Sequence, residues 1–434
     1  MSTIPEKPQS ATVQWICLTG FGAAVVTFLG LKSISVAPLH IAVACIAAVA
    51  LSIGVLDLIF LKVHKRADSG LEFDRPFDFN LRRVLIKLLG LLITLELIAM
   101  AYWILPEYQG SFYKHLWNML AIYWPYLLVL VVVYFAYIDA RMRDPQDGYW
   151  QAGCLLLGRW RECDAAVLRQ YALGWVVKAF FFPLMFTYLV NDFTRLLSFT
   201  PASLGSTVAI YDFLFLLTFS VDVLFAAMGY LMTLRLFGAH IRSTEPTLIG
   251  WSVAIVCYQP MWSFFSSHYL VYQDGYAWGA WLSGSQALLV LWVIMISLLN
   301  LVYLWSTVTF GVRFSNLTHR GILTNGPYRF SKHPAYIAKN LSWWLIAVPF
   351  LPVHGWDTAA KQCAMLLGLN LIYYLRAKTE ERHLSWDKTY VDYALWMNEN
   401  GIFSRLAKRL PVLGYQEKNI LGNLSFSPVK ETSQ

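Results

Sequence analysis

Pro38–Leu61 reads PLHIAVACIAAVALSIGVLDLIFL, 24 residues in which Asp57 is the only charged side chain. At about 1.5 Å of rise per residue, a helix of this length crosses the roughly 30 Å hydrocarbon core of a bilayer. Hydrocarbon offers the backbone no hydrogen bonds, so such a run has to satisfy its amides internally, as a helix. The pattern recurs along the chain. Apolar runs lie at Val13–Gly30, Pro38–Leu61, Val84–Leu105, Leu116–Ile138, Tyr171–Val190, Val208–Leu234, Leu248–Phe265, Ala280–Phe310, Ala335–Phe350 and Thr358–Leu375. Of the 434 residues, 57% are hydrophobic and 14% charged, against about 25% charged in soluble domains. These features predict an all-α, polytopic transmembrane bundle of about ten spans and argue against a soluble domain anywhere in the chain.

The net charge of +8 reflects topology and gives no reason to invoke nucleic acid. Placing the N-terminus in the cytoplasm makes the inner segments 1–12, 62–83, 139–170, 235–247, 311–334 and 376–434. The outer loops then keep only Lys32, Lys114, Arg195 and Lys361, so 30 of the 34 Lys and Arg residues fall on the inner side or at adjoining span ends. This is the positive-inside asymmetry, and it puts both termini in the cytoplasm. The polar N-terminus is followed by an apolar run without a small-residue cleavage site, which reads as a retained first span. Three acids, Asp57, Glu96 and Asp222, fall within spans. Such residues are expensive in hydrocarbon and are expected to face the bundle interior or a cavity. Asn423-Leu424-Ser425 matches a glycosylation pattern but lies on the inner side.

Two polar islands flank the last two runs: Gly321–Asn340, GILTNGPYRFSKHPAYIAKN, and Arg376–Leu384, RAKTEERHL. Gly326-Pro327 forces a turn. Proline is favoured in the first turn of a helix, so His333-Pro334 marks the start of the ninth span. That helix N-terminus offers free amides to an anion, with Arg329 and Lys332 adding positive charge. The ninth and tenth runs are of near-equal length and return the chain to one membrane face. His333 and Tyr336 should therefore lie beside Arg376, Glu380 and Glu381. A basic cradle meeting a carboxylate pair suits a zwitterionic ligand, such as an amino-acid-bearing cofactor with a sulfonium centre.

The pattern Gly-Pro-Tyr-Arg…Lys-His-Pro-x-Tyr, then Arg-x-x-x-Glu-Glu-x-x-Leu…Tyr-x-x-Tyr, over about Gly321–Tyr393, resembles the isoprenylcysteine carboxyl methyltransferase family and related phospholipid methyltransferases. The chain departs from that pattern at Lys332, where the family carries Arg, and at Ala338, where it carries Gly. The preceding part of the chain, including Ser243–Pro260, resembles a longer bacterial subgroup. The resemblance implies a multi-pass enzyme of the bacterial inner membrane with its active site on the cytoplasmic side. It implies S-adenosylmethionine held by Tyr328, Arg329, Lys332, His333, Pro334, Tyr336, Arg376, Glu380 and Glu381, with no metal. Glu381 and Tyr336 are candidates for a base, and Tyr390 and Tyr393 for a lid. The acceptor would be a lipid or lipidated molecule reaching the site from the bilayer. Residues 1–310 form an eight-span region of unassigned role and 311–434 the methyltransferase-like region. Two other readings stand beside this one: an NADPH-dependent membrane reductase of sterol-reductase-like architecture, and a transporter or scaffold with a vestigial pocket.

Overall fold

The computed structural model describes residues 5–267 and 276–416; the far C-terminal tail, with its Asn423 pattern, lies outside the described residues. The described residues are mostly helical. It opens with α1 (Gln14–Ser33), α2 (Pro38–Phe60), α3 (Leu81–Ile104), α4 (Lys114–Asp139) and the short α5 (Gly148–Leu156). There follow α6 (Ala165–Ser198), α7 (Thr207–Leu231), a two-residue strand β1 (Ser243–Thr244), α8 (Leu248–Ile255), α9 (Met261–Phe265) and α10 (Trp278–Trp281). The chain closes with α11 (Gln286–Thr309), β2 (Thr318–His319), α12 (Pro334–Ala347), α13 (Trp356–Leu384), α14 (Lys388–Asn400) and α15 (Ser404–Arg409). Among the described residues seven helices, α1 to α4, α6, α7 and α11, are long and apolar enough to cross a membrane.

The main core lies between α1, α2, α6 and α7, where Ile16, Ile53, Val177, Phe181, Leu189 and Phe225 are fully buried. The outer face of α4 instead exposes Leu128, Val129, Leu130 and Val133, a continuous apolar surface that suits lipid and not water. Of the three intramembrane acids, Asp57 pairs with Arg313 at 3.2 Å and Asp222 accepts from two hydroxyls (below). Glu96 departs from the expectation: it is exposed on α3, and nothing in the structure explains it.

The run Leu248–Phe265, expected as one span, is not one helix. It folds as α8 and α9 with a break at Val256–Pro260. Pro260 has no amide to donate and disfavours helical backbone in the residue before it, so the helix cannot continue through. The chain nevertheless passes from one end of the bundle to the other between Thr244 and Trp278. Thr244 pairs with Thr318, near the C-terminal end of α7, whereas Trp278 packs on Tyr211 at the N-terminal end of that helix. The last hairpin also differs from expectation, because its arms are unequal. α12 has 14 residues and stops where Val348 adopts a left-handed φ of 39°, whereas α13 runs for 29 and carries its charged last turns beyond the apolar run.

The expected inner segments gather at one end around Arg320. Its Nε donates to the carbonyl of Ala239 at 2.7 Å. Nη1 donates to those of Gly229 at 2.8 Å and Phe314 at 2.7 Å, and Nη2 to those of Met232 at 2.9 Å and Val312 at 2.8 Å. All five guanidinium donors are thus used. Gly229 and Met232 lie at the C-terminal end of α7, where carbonyls lack intrahelical partners. Val312 and Phe314 follow α11. The approach is so close that a Cβ on Gly229 would sit 2.4 Å from the Phe314 carbonyl oxygen. The N-terminal segment lies alongside: Ala11 N–H donates to the Ile322 carbonyl at 2.9 Å, and the Asn325 side-chain amide to that of Thr12 at 2.7 Å. An ion pair joins Arg242 to Asp68.

Arg320→Lys keeps the charge but has too few donors for five carbonyls. Leaving buried acceptors unsatisfied should cost about 3 kcal/mol or more, read as a lower thermal midpoint for the purified protein in detergent. An unchanged midpoint would remove Arg320 from this role.

Candidate active site

A cavity of about 120 Å³ lies at this end of the bundle, walled by α8, α11, α12 and α13 and covered by the loop Phe314–Thr318. Its mouth is built by the Gly326–Arg329 turn. Gly326 has φ +53°, and a Cβ there would lie 2.6 Å from the Gln14 amide oxygen and 2.7 Å from the Thr309 hydroxyl, so only glycine fits. Pro334 then starts α12. The rings of His333 and Tyr336 lie parallel, with centroids 5.5 Å apart. The Tyr336 hydroxyl donates to Glu380 Oε2 at 2.9 Å, and His333 Nδ1 lies 4.0 Å from the same oxygen.

The two adjacent glutamates have different surroundings. Glu381 is 2% exposed and sits between two ammonium groups and an imidazole: Lys332 Nζ at 2.5 Å, Lys378 Nζ at 2.9 Å and His333 Nε2 at 3.3 Å. Burial pushes its carboxyl up, but the hydrogen bond from His333 and the charges of Lys332 and Lys378 outweigh that and hold it well below the usual carboxylate range. Glu381 does not line the cavity; Glu380 does, and its side chain is 40% exposed. Successive helical residues point about 100° apart, which separates a buried strut from a cavity-facing acid.

Arg376, one turn before Glu380, is buried and lines the cavity. Its Nη2 donates to Asn316 Oδ1 at 2.5 Å and lies 3.5 Å from the Tyr258 hydroxyl. The guanidinium sits over the rings of Tyr336 at 5.2 Å, Tyr258 at 5.6 Å and Tyr373 at 5.8 Å. Among the described residues no carboxylate comes within 4.0 Å of it. Ring faces offset part of the cost of burying a cation, but a buried charge without a counter-ion stays expensive. Arg376 is thus a buried cation held by Asn316 and three tyrosine rings.

The remaining residues singled out in the sequence are placed as follows. Tyr328 lines the cavity and Lys332 reaches its edge. Arg329 is exposed over the Phe330 ring and stays away from the cavity. Tyr390 and Tyr393 are buried with Ile322, Met397 and Tyr415, and the Tyr393 hydroxyl donates to the Tyr328 carbonyl at 2.6 Å. They brace the turn from behind and do not cover the mouth. Ala338 is buried in α12. Cavity residues that the sequence reading passed over are Tyr258, Asn316, Tyr303, Lys339 and Tyr373. Lys339 alone carried a signal, a charge inside an apolar run. Tyr258 and Asn316 reach the site only through tertiary packing.

A helical membrane protein with a charged cavity at one bundle end is the class this geometry defines. Residues 287–386 match the model of the Isoprenylcysteine carboxyl methyltransferase (ICMT) family, and this C-terminal region belongs to that family of methyltransferases. No curated protein and no solved structure matches the chain. The matched stretch contains α11, α12 and α13; the wall formed by α8, with Tyr258, lies outside it.

A depressed carboxyl stabilises the fold above its unfolded value, near pH 4.3, and that contribution is lost as pH falls toward the folded value. Thermal midpoints of the wild type and Glu381→Gln should thus differ most near pH 7 and converge as the pH is lowered below about 4. A gap that stayed constant on acidification would contradict the ion-paired state of Glu381.

Proposed function

We propose that this chain is an integral membrane S-adenosylmethionine-dependent methyltransferase, acting at the cytoplasmic end of its bundle on a lipid or lipidated acceptor that arrives from the bilayer. The observation that carries the reading is Arg376: a buried cation lining the cavity with no carboxylate partner, four residues from the half-exposed acid Glu380. A ligand with a carboxylate beside an ammonium complements that pair, with Arg376 taking the carboxylate and Glu380 the ammonium. The family match of residues 287–386 supports the same chemistry, and the asymmetry of Lys and Arg supports a cytoplasmic face. Two acids in the cavity wall, Glu380 and Glu245, weigh against the anionic dinucleotide of the reductase reading.

S-adenosylmethionine, when bound, supplies a methyl carbon made electrophilic by its sulfonium. The protein's share is alignment and exclusion of water. Tyr258, Tyr336 and Tyr373 hold the Arg376 guanidinium against their ring faces and so fix the cation that would meet the carboxylate. Tyr336 donates a hydrogen bond to Glu380 and so orients that acid. Glu381, one of the candidate bases, is tied up by two lysines and the His333 ring; its work is to hold Lys332 and His333 in place, and the Tyr393 hydroxyl holds the turn before them.

Calorimetry on the purified protein in detergent tests this. S-adenosylmethionine should give saturable heat, and Arg376→Met and Glu380→Gln should each weaken binding at least about tenfold, ~1.4 kcal/mol, with Glu96→Gln as an unaffected control. Binding of NADPH with no response to S-adenosylmethionine would overturn the reading.

A further inference from the structure

We infer that residues 402–413 form an interfacial foot, lying in the plane of the bilayer surface at the cavity end of the bundle. Its apolar side chains sit among acyl chains and its cations meet anionic phospholipid headgroups. This surface does not depend on the methyl transfer proposed above. The stretch reads IFSRLAKRLPVL and folds as α15 followed by the turn Pro411–Leu413. Ser404 and Ala407 are half-buried against the protein, whereas Ile402, Phe403, Leu406, Leu410, Val412 and Leu413 are all exposed. Arg405, Lys408 and Arg409 are exposed beside them, and residues 401–416 hold no acid. At about 100° per residue, Ile402, Phe403, Leu406 and Leu410 share one sector of the helix and the three cations share the sector next to it. Lys408 pairs with Glu399 at 2.6 Å, an exposed contact of little worth. Among the described residues Arg405 and Arg409 have no acid within 4.0 Å. Apolar and basic stripes side by side are the pattern of a helix lying in a membrane interface.

Pattern alone does not set depth; α13 does. Leu367, Leu371, Tyr374 and Lys378 follow one another at helical spacing along one stripe of that helix. Leu367 and Leu371 are each more than half exposed, as lipid-facing side chains are, and Lys378 is the first charge on the stripe. The stripe therefore passes from hydrocarbon to headgroups between Leu371 and Lys378, over about 10 Å of helix. The foot is tied to this level. The Tyr374 hydroxyl donates to the Val412 carbonyl at 2.9 Å, and Lys378 Nζ to the Gly414 carbonyl at 3.0 Å. The chain has by then doubled back. α13 runs on past Tyr374 to Leu384, about 15 Å further, and α14 turns the chain before Leu410 regains the Tyr374 level. Exposed apolar side chains returned to that level have the bilayer as their cover. Three cations without an acid among them favour an anionic leaflet over a neutral one. Lys378 also pairs with Glu381 at 2.9 Å, so the foot and the strut behind the cavity share one anchor.

The test uses the full chain, one copy per nanodisc, in phosphatidylcholine doped with a phosphatidylcholine whose acyl chain carries a photoactivated diazirine. Discs are made with and without phosphatidylglycerol, and labelled peptides are mapped by mass spectrometry. Peptides covering 402–413 should be labelled, as should the reference positions Leu367 and Leu371, whereas those of α14 should not. Phosphatidylglycerol should raise labelling of the foot about twofold or more. Arg405→Gln, Lys408→Gln and Arg409→Gln together should remove that gain and leave the thermal midpoint unchanged. Leu406→Glu with Leu410→Glu should cut labelling of the foot in both lipids but not at Leu367 and Leu371, which shows that the variant is inserted. A foot left unlabelled in the full chain overturns the inference. Cross-links between chains in discs loaded with two copies would then give the face to a second copy, and their absence would give it to residues 417–434. Labelling that responds neither to phosphatidylglycerol nor to the glutamine substitutions would sink the anionic partner.

Discussion

The fold depends on a single guanidinium. Arg320 binds five backbone carbonyls from three segments, at the end of α7, in the following loop and in the turn after α11. A helix end carries partial negative charge, and an arginine placed there satisfies orphan acceptors and neutralises that charge together. Everything that shapes the cavity mouth hangs from the turn so fixed: β2 and its pairing with β1, the Gly326–Arg329 turn, and the start of α12. Asp57 and Arg313, buried against each other nearby, tie α2 to the same junction.

Much of the architecture could be read from residues alone, because a 20-residue apolar run has one economical outcome in a bilayer. The failure at Leu248–Phe265 has an equally plain cause. Summed hydropathy does not register where a proline falls, and Pro260 falls where it must interrupt the helix. The meeting of His333 with Glu380 and Glu381 could also be anticipated, since a hairpin returns to its own starting level.

Other parts of the site were not accessible in this way. Glu380 and Glu381 are neighbours with identical chemistry, and which of them faces the cavity depends on the rotation of α13, set by packing along its whole length. Arg329 and Lys332 look equivalent in sequence, yet one is exposed over a phenyl ring and the other grips Glu381. Arg320 reads as one more positive charge on an inner loop until its burial is seen. Asn316 and Tyr258 hold Arg376 across 60 and 118 positions of chain, a pairing that no local pattern encodes.

The strand of chain at residues 8–12, laid along 322–325, bears on modularity. The region shared with the methyltransferase family is not the unit that folds. Its loop is stitched to the beginning of the polypeptide, its turn hangs on α7, and one of its cavity walls is borrowed from α8. Cut out on its own, the stretch 287–386 would have an open side and would lose the hydrogen bonds that Arg320 and Asn325 make outside it. Recombination that moved this region onto another scaffold would have to carry matching partners for Arg313, Arg320 and Arg376 with it. The long N-terminal portion is therefore bound to the cavity end by backbone and side-chain chemistry, and the two can change only in concert.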